Sequence, residues 1–305
     1  MPWAQLVQRK SYRHLLAPAS VRFQFIAEHA QEYPIQRMCQ VLEVSISGYY
    51  AWRIRPLSQH AREDGHLCEL ITHIFQTHRG LYGSPRVHAE LRDLGIHCAR
   101  KRVVRLMQSL GLHVSHRPHH VHTTQRQSGV RMAENVLNRD FGANDPNRKW
   151  VVDITDIWTV EGWLYLAVVL DLCSRMIVGW SMATTHDEAL VEAALRMALA
   201  RRAPQKHLLH HSDQGSEYTS QAYLGFLEQL GIQVSMSRVA NCYDNAAMES
   251  FFATLKKECV YRIHLQSRQQ ARQVIFEYIE GYYNRVRRHS TLGYLSPWEF
   301  EHRLT

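Results

Sequence analysis

Three carboxylates stand where an ordinary fold gains little from them. Asp153 lies in the middle of WVVDITDIWT (150–159), a β-branched and aromatic run where strand propensity and burial both disfavour an aspartate. Asp213 closes HLLHHSD (207–213), and Glu249 lies in DNAAMESFFATLKKE (244–258). Buried like charges repel, so three convergent carboxylates need a reason to coexist. Hard divalent cations, Mg²⁺ or Mn²⁺, supply one. Two such ions roughly 3.5–4 Å apart activate an attacking oxygen and stabilise a leaving one at phosphorus. Taken singly, each carboxylate has a plainer reading. Asp171 reads as a strand-end or turn residue and Asp156 as solvent-facing.

The elements around them order themselves from periodicity. Residues 150–159, 163–172 and 175–182 read as three antiparallel strands separated by short turns. An Ala- and Leu-rich helix (187–202) leads to a fourth strand (207–213), and a helix (220–230) leads to a short fifth strand (232–236). This β-β-β-α-β-α-β order predicts a mixed sheet with helices on its faces. In the following helix, which Asp244 is expected to cap, Met248, Phe251, Phe252, Leu255 and Cys259 form the apolar stripe, leaving Glu249 at its edge. Lys256 is seven residues further on, nearly the same face and about 10 Å along the axis.

The first half differs in character. Residues 1–150 carry 21 basic and 11 acidic side chains, a net of +10, whereas residues 151–305 carry 15 and 17. That asymmetry predicts a basic module for a polyanion joined to a domain with another task. Two segments read as helix-turn-helix units. In the first (33–52), a helix over 35–42 meets a turn in which Ser45 or Ser47 caps a second helix. In the second, Pro85 opens a helix that Gly95 ends, and a further helix spans 99–110. Val103, Leu106, Met107 and Leu110 form its buried stripe. Lys101, Arg105 and Gln108 fall opposite, with Arg100 and Arg102 on the flanks. Such a helix suits phosphate contact and entry into a major groove; the plainer reading is a solvated charged face.

Five histidines (113, 116, 119, 120 and 122) crowd one decapeptide. Without cysteine partners they read as a solvated basic linker, with Arg117, Arg126 and Arg131, in preference to a metal site. The six cysteines include no CxxC pair and read as reduced thiols of a cytosolic protein. The longest apolar run, Leu164 to Leu170, falls far below the roughly 18 residues of a membrane span, and the N-terminus lacks the apolar core of a signal peptide.

The three acidic blocks, taken together, resemble the DDE transposases of the retroviral-integrase superfamily. In particular they resemble the OrfB subunit of bacterial insertion sequences that split transposase into OrfA and OrfB frames, the IS-three family. WVVDITDIWT…GWLYLAVVLDLCSR, HSDQGSEY and SMSRVANCYDNAAMESFFATLKKE look like its three blocks, and 35 residues separate Asp213 from Glu249, as in the family. YGSPRVHAELRDLG, RVVRLMQSLGL, SGYYAWRIRP and YYNRVRRHSTLGYLSPWEF resemble its other segments. Gln214, Glu217, Val239 and Ala240 depart from the commoner family residues.

The resemblance implies an α/β chain: an RNase H-like mixed-sheet catalytic core (148–262) with a C-terminal helical extension (263–305). Before the core come an all-α N-terminal region with the first helix-turn-helix (1–60), a second helix-turn-helix domain (61–115) and the basic linker (116–147). It implies metal-dependent 3′-end cleavage and strand transfer on double-stranded DNA, both element ends and target. Asp153 would bridge two Mg²⁺ ions, replaceable by Mn²⁺, with Asp213 and Glu249 each completing one. Lys256 would hold a phosphate, and Asn245 would help order the helix start. Lys101, Arg102 and Arg105 would contact DNA, and Tyr283, Asn284, Arg285, Arg287, Arg288 and His289 would line its path. Homo-multimers on paired ends, an OrfA product or OrfAB fusion partner, and a bacterial, nucleoid-associated location complete the expectation. The alternatives are an RNase H-like nuclease without strand transfer and a DNA-binding regulator with an inactive core.

Overall fold

The computed structural model describes residues 17–55, 58–114, 133–204, 207–238 and 242–304. Four histidines of the 113–122 tract (116, 119, 120 and 122), with Arg117, Arg126, Arg131, Val239 and Ala240, lie outside them. The chain divides into two compact units, Met1–Leu70 and Ile71–Thr305, within a helix that itself runs Gln59–Thr77. No helix among the described residues is long and apolar enough to cross a membrane.

The first unit packs α1 (Ala19–Glu28), α2 (Ile35–Val41) and α3 (Ile46–Ile54) around Phe25, Ile26, Met38, Cys39, Leu42 and Tyr49. Pro34 stands before the first turn of α2. Of the two serines expected to cap α3, Ser45 does so, its Oγ accepting from the Gly48 amide at 3.0 Å. The helix Gln59–Thr77 is α4.

In the second unit α5 (Ser84–Asp93) carries Pro85 in its first turn, and Gly95 follows its end at φ 78°, the left-handed conformation that favours glycine. The next helix, α6 (Arg100–Ser109), buries Val103, Leu106 and Met107 as its periodicity requires. Leu110 departs from that stripe. It lies just past the helix end and is exposed, because the last turn no longer directs it inward.

The sheet comprises β1 (Lys149–Thr159), β2 (Gly162–Asp171), β3 (Ile177–Ala183), β4 (Leu209–Ser212) and β5 (Gln233–Met236), in the order β3-β2-β1-β4-β5. The first three are antiparallel, while β1/β4 and β4/β5 are parallel. The third strand starts two residues later than its sequence suggests, because Arg175 takes a left-handed turn (φ 60°). Asp171 makes that turn: fully buried, it accepts hydrogen bonds from the Asn147, Cys173 and Ser174 amides and from the Trp150 indole. On one face α7 (Glu188–Arg202) and α9 (Gln221–Gln229) cover Trp150, Val152, Val169 and Val178. A one-turn helix, α8 (Ser216–Thr219), precedes α9. Close contact with α7 depends on Gly179, where a Cβ would collide with the Ala194 carbonyl.

Helix α10 (Ala246–Glu258) packs against β1 and buries Met248, Phe251, Phe252 and Leu255. After α11 (Arg268–Phe276) the chain continues through a π-helical stretch, Glu277–Tyr283, towards α12 (Pro297–His302). Tyr283 meets Phe251 edge-on at 4.8 Å. Asn284 docks this extension on the start of β3, accepting from the Ile177 amide and donating to its carbonyl, both at 2.9 Å.

Candidate active site

The β1/β4 register pairs Lys149 with Leu209, Trp150 with His210 and Val151 with His211. Continued by two residues, it brings Asp153 level with Asp213, one strand spacing of about 4.8 Å away. The side chains of β4 itself turn inward: His210 bonds the Tyr223 hydroxyl (3.0 Å), and His211 bonds Ser235 Oγ (2.9 Å). Burial lowers both imidazoles, to about 3 and about 4. These neutral histidines are core, and they hold the strand that delivers Asp213.

Asp153 is half-buried. Its Oδ1 accepts from the Ile154 amide at 2.8 Å and its Oδ2 from Asn245 Nδ2 at 3.1 Å. Burial, then the charges of Asp213, Glu217 and Glu249, push its carboxyl well above the usual carboxylate range, against the pull of the Ile154 amide. Asp213 accepts from the Gly215 amide at 2.9 Å, and burial raises it too. Glu249 stands on an exposed position of α10, within electrostatic reach of Asp153. All three expected carboxylates thus act on one neighbourhood. Among the described residues, no three His, Cys, Asp or Glu side chains are set closely enough to hold a metal ion unaided.

The start of α10 is held differently from expectation. Asp244 does not cap the helix; it is wholly buried as the centre of a polar cluster. Arg238 reaches it through Nε and Nη2, both at 3.0 Å, Arg139 at 2.9 Å and Asn135 at 2.8 Å. These bonds, those of Arg238 first, hold its carboxyl far below the usual range. Asn245 takes the cap position without bonding a helix amide, because its side chain is turned to Asp153. Its Oδ1 is buried with no hydrogen-bond partner.

The basic residues separate into two groups. Lys101 and Arg105 lie on the exposed side of α6, with Arg102 half-buried beside them. Lys256 lies two turns beyond Glu249, its Nζ 3.7 Å from the exposed Asp156, and Arg285 is exposed. Arg287 and Arg288 correct the expectation of a DNA-lining cluster, since both are buried and already paired. Arg287 grips Glu258 through Nε (2.7 Å) and Nη2 (2.8 Å). Arg288 bonds Glu90 (2.6 Å) and Asp93 (2.5 Å) of α5. Tyr283, Asn284 and His289 are likewise packed inward. The run of charge in YYNRVRRH concealed this, because nothing in it marks which arginines face Glu258, Glu90 and Asp93.

Sequence reasoning also missed Glu217, noted only as a departure from a family pattern. It is a buried fourth carboxylate, and its field reaches Asp153. Its place four residues after Asp213, in the same short block, was the available signal.

A five-stranded mixed sheet with one carboxylate on its central strand, a second just past the end of the parallel strand beside it and a third on the neighbouring helix fits the integrase class of DNA-processing cores. Residues 143–242 and 230–297 match family descriptions of an integrase core domain, and residues 61–120 match an HTH-like domain. The chain is 40% identical over 285 residues to transposase InsF for insertion sequence IS3A of Escherichia coli (strain K12), covering 93% of this chain and 99% of that protein. It is 44% identical over 235 residues to the transposase for insertion sequence element IS904 of Lactococcus lactis subsp. lactis (strain IL1403), covering 77% and 93%. A solved structure of the HTLV-2 integrase catalytic core domain in complex with magnesium, in its trimeric form, matches with a TM-score of 0.42 at 16% identity, covering 53% of this chain and 100% of that one. The chain belongs to the IS3-family insertion-sequence transposases, DNA-cleaving and strand-transferring enzymes.

Proposed function

We propose that this transposase cuts the 3′ ends of its element and joins them to target DNA with Asp153, Asp213 and Glu249 as its catalytic residues. The observation that carries the reading is the parallel β1/β4 register, which, continued past Val151 and His211, would bring Asp153 level with Asp213, with Asn245 from the α10 start fastened to Asp153. An all-oxygen donor set suits Mg²⁺, with Mn²⁺ as substitute. The raised Asp153 carboxyl and the unpartnered Asn245 Oδ1 are features a bound cation would relieve. Two ions, when bound, would activate the attacking oxygen and stabilise the leaving one.

The protein's own residues do the positioning. Asp153, oriented by Asn245, would hold the metal together with Asp213, fixed by the Gly215 amide, and Glu249. In the first step a water oxygen forms a bond to phosphorus at the element end, the P–O3′ bond breaks, and the 3′ oxygen leaves as a hydroxyl. In the second, that hydroxyl attacks a target phosphodiester and displaces another 3′ oxygen. Lys256 would hold a phosphate beside Glu249. Lys101, Arg102 and Arg105 on α6 would grip the element end, with the second helix-turn-helix (61–115) as the end-binding domain and Arg285 as a further contact. The free thiols of Cys39, Cys98, Cys173 and Cys259 suit a bacterial cytoplasmic setting at the nucleoid. Multimers on paired ends, with an OrfA or OrfAB partner, would complete the assembly.

The test is incubation with labelled element-end DNA, target plasmid, Mg²⁺ and the OrfA partner. Joined products are expected. Nicked ends without joining would mean a nuclease, and binding without cleavage would mean a regulator.

A further inference from the structure

Glu217 is not accounted for by the triad. It lies on the one-turn helix α8, 8% exposed, with its carboxylate folded back over Gly215. A Cβ on residue 215 would overlap that carboxylate. Its Oε2 accepts from Ser216 Oγ at 3.3 Å, and its Oε1 stands 3.6 Å from His186 Nε2. Among the described residues no Lys or Arg pairs with it, and the basic side chain that meets it is His186, 40% exposed. A buried carboxylate held for structure alone is normally paired with a full cation, because leaving it unpaired is strongly destabilising.

A second observation points to a ligand. The next residue, Tyr218, is 1% exposed, and its hydroxyl has no hydrogen-bond partner. That hydroxyl lies within electrostatic reach of Asp153, Asp213 and Glu217. Asn245, which donates to Asp153, has its Oδ1 likewise buried and unpartnered. Two buried polar atoms around the same carboxylates therefore await a partner the protein does not supply, as they would beside a hydrated cation.

We propose that Glu217 is a fourth carboxylate of the metal site, a positioning residue that raises divalent-cation affinity on the Asp213 side and is held in place by the Gly215 gap and His186. The inference rests on the metal-dependent reading above. It assigns to this chain a site more acidic than a bare triad, with His186 as the contact that keeps the extra carboxylate aimed inward.

The test uses the full-length protein without DNA, titrated with Mg²⁺ and separately with Mn²⁺ while its melting temperature is followed. Glu217→Gln keeps the shape and removes the charge. It should move the Mg²⁺ midpoint to about tenfold higher concentration, with the metal-free melting temperature unchanged or raised. Glu217→Asp, which keeps the charge, should recover part of that shift and serves if the glutamine variant does not fold. Asp213→Asn should abolish the metal response. A Glu217→Gln midpoint equal to wild type, with the Asp213→Asn response lost, overturns the role of Glu217 alone. A metal response intact in Asp213→Asn overturns the metal reading itself, and the inference with it.

Discussion

Asn245 joins the two halves of the site, since it begins the helix that carries Glu249 and donates to Asp153 at 3.1 Å. Removing that donor leaves both carboxylates in place but lets Asp153 rotate. Asn245→Ala should therefore slow strand transfer by about 10–100-fold, the usual cost of losing a partner that orients a metal ligand. An unchanged joining rate would separate Asn245 from the chemistry. Two neighbouring arginines show how differently like residues act. Arg287, gripping Glu258 with two nitrogens, should cost about 1.5–3 kcal/mol of unfolding free energy when replaced by alanine, because Glu258 then keeps only Arg86 at 3.5 Å and the Tyr278 hydroxyl. Arg285→Ala, at an exposed position, should stay within about 0.5 kcal/mol. Urea denaturation of both variants measures the contrast, and equal losses would contradict these placements.

At the scale of elements, α5 is tied to the C-terminal extension by Arg288, which bonds Glu90 and Asp93 while its backbone amide donates to the Tyr82 hydroxyl and its carbonyl accepts from Arg86. Burial alone would raise Glu90, but hydrogen bonds from His78 and Arg288 and the charge of Arg288 outweigh it and bring the carboxyl to about 2, below its ordinary 4.5. A carboxyl lowered by folding adds stability that is fully present above about 4.5 and is lost as pH falls towards 2. The stability of the wild type should drop across that window, and Glu90→Gln should flatten the slope there. An identical slope in the variant would mean that other groups govern acid unfolding. The opposite face of α6 presents Lys101 and Arg105. If these grip phosphate, replacing each by alanine should reduce the slope of log affinity against log salt by about 0.9. A slope unchanged in the double variant would show that α6 does not touch the DNA backbone.

Across the whole molecule, the charge division of +10 and −2 reads as a division of labour, with cationic helices before the linker and carboxylates on the sheet after it. Much of the fold was legible because it rests on periodicity. The strand runs, the Ser45 cap, the Pro85 start and the Gly95 stop each follow from local chemistry, and Asp153 is conspicuous because it breaks a strand's apolar pattern. What stayed hidden depends on contacts distant in sequence. Asp244 looks like a helix cap until Arg139 and Arg238 reach it. Arg287 and Arg288 look solvated until Glu258 and Glu90 come to meet them. Glu217 becomes a neighbour of Asp153 only once β4 lies beside β1. The role proposed for Asp153 is in the chemistry and not in DNA binding or folding. The most direct measurement is Asp153→Asn, assayed for element-end binding and for Mg²⁺-dependent joining in the same preparation. End affinity is expected within about twofold of wild type, a shift of less than about 0.5 kcal/mol, with cleavage and joining both lost. Joining retained in that variant would contradict that role.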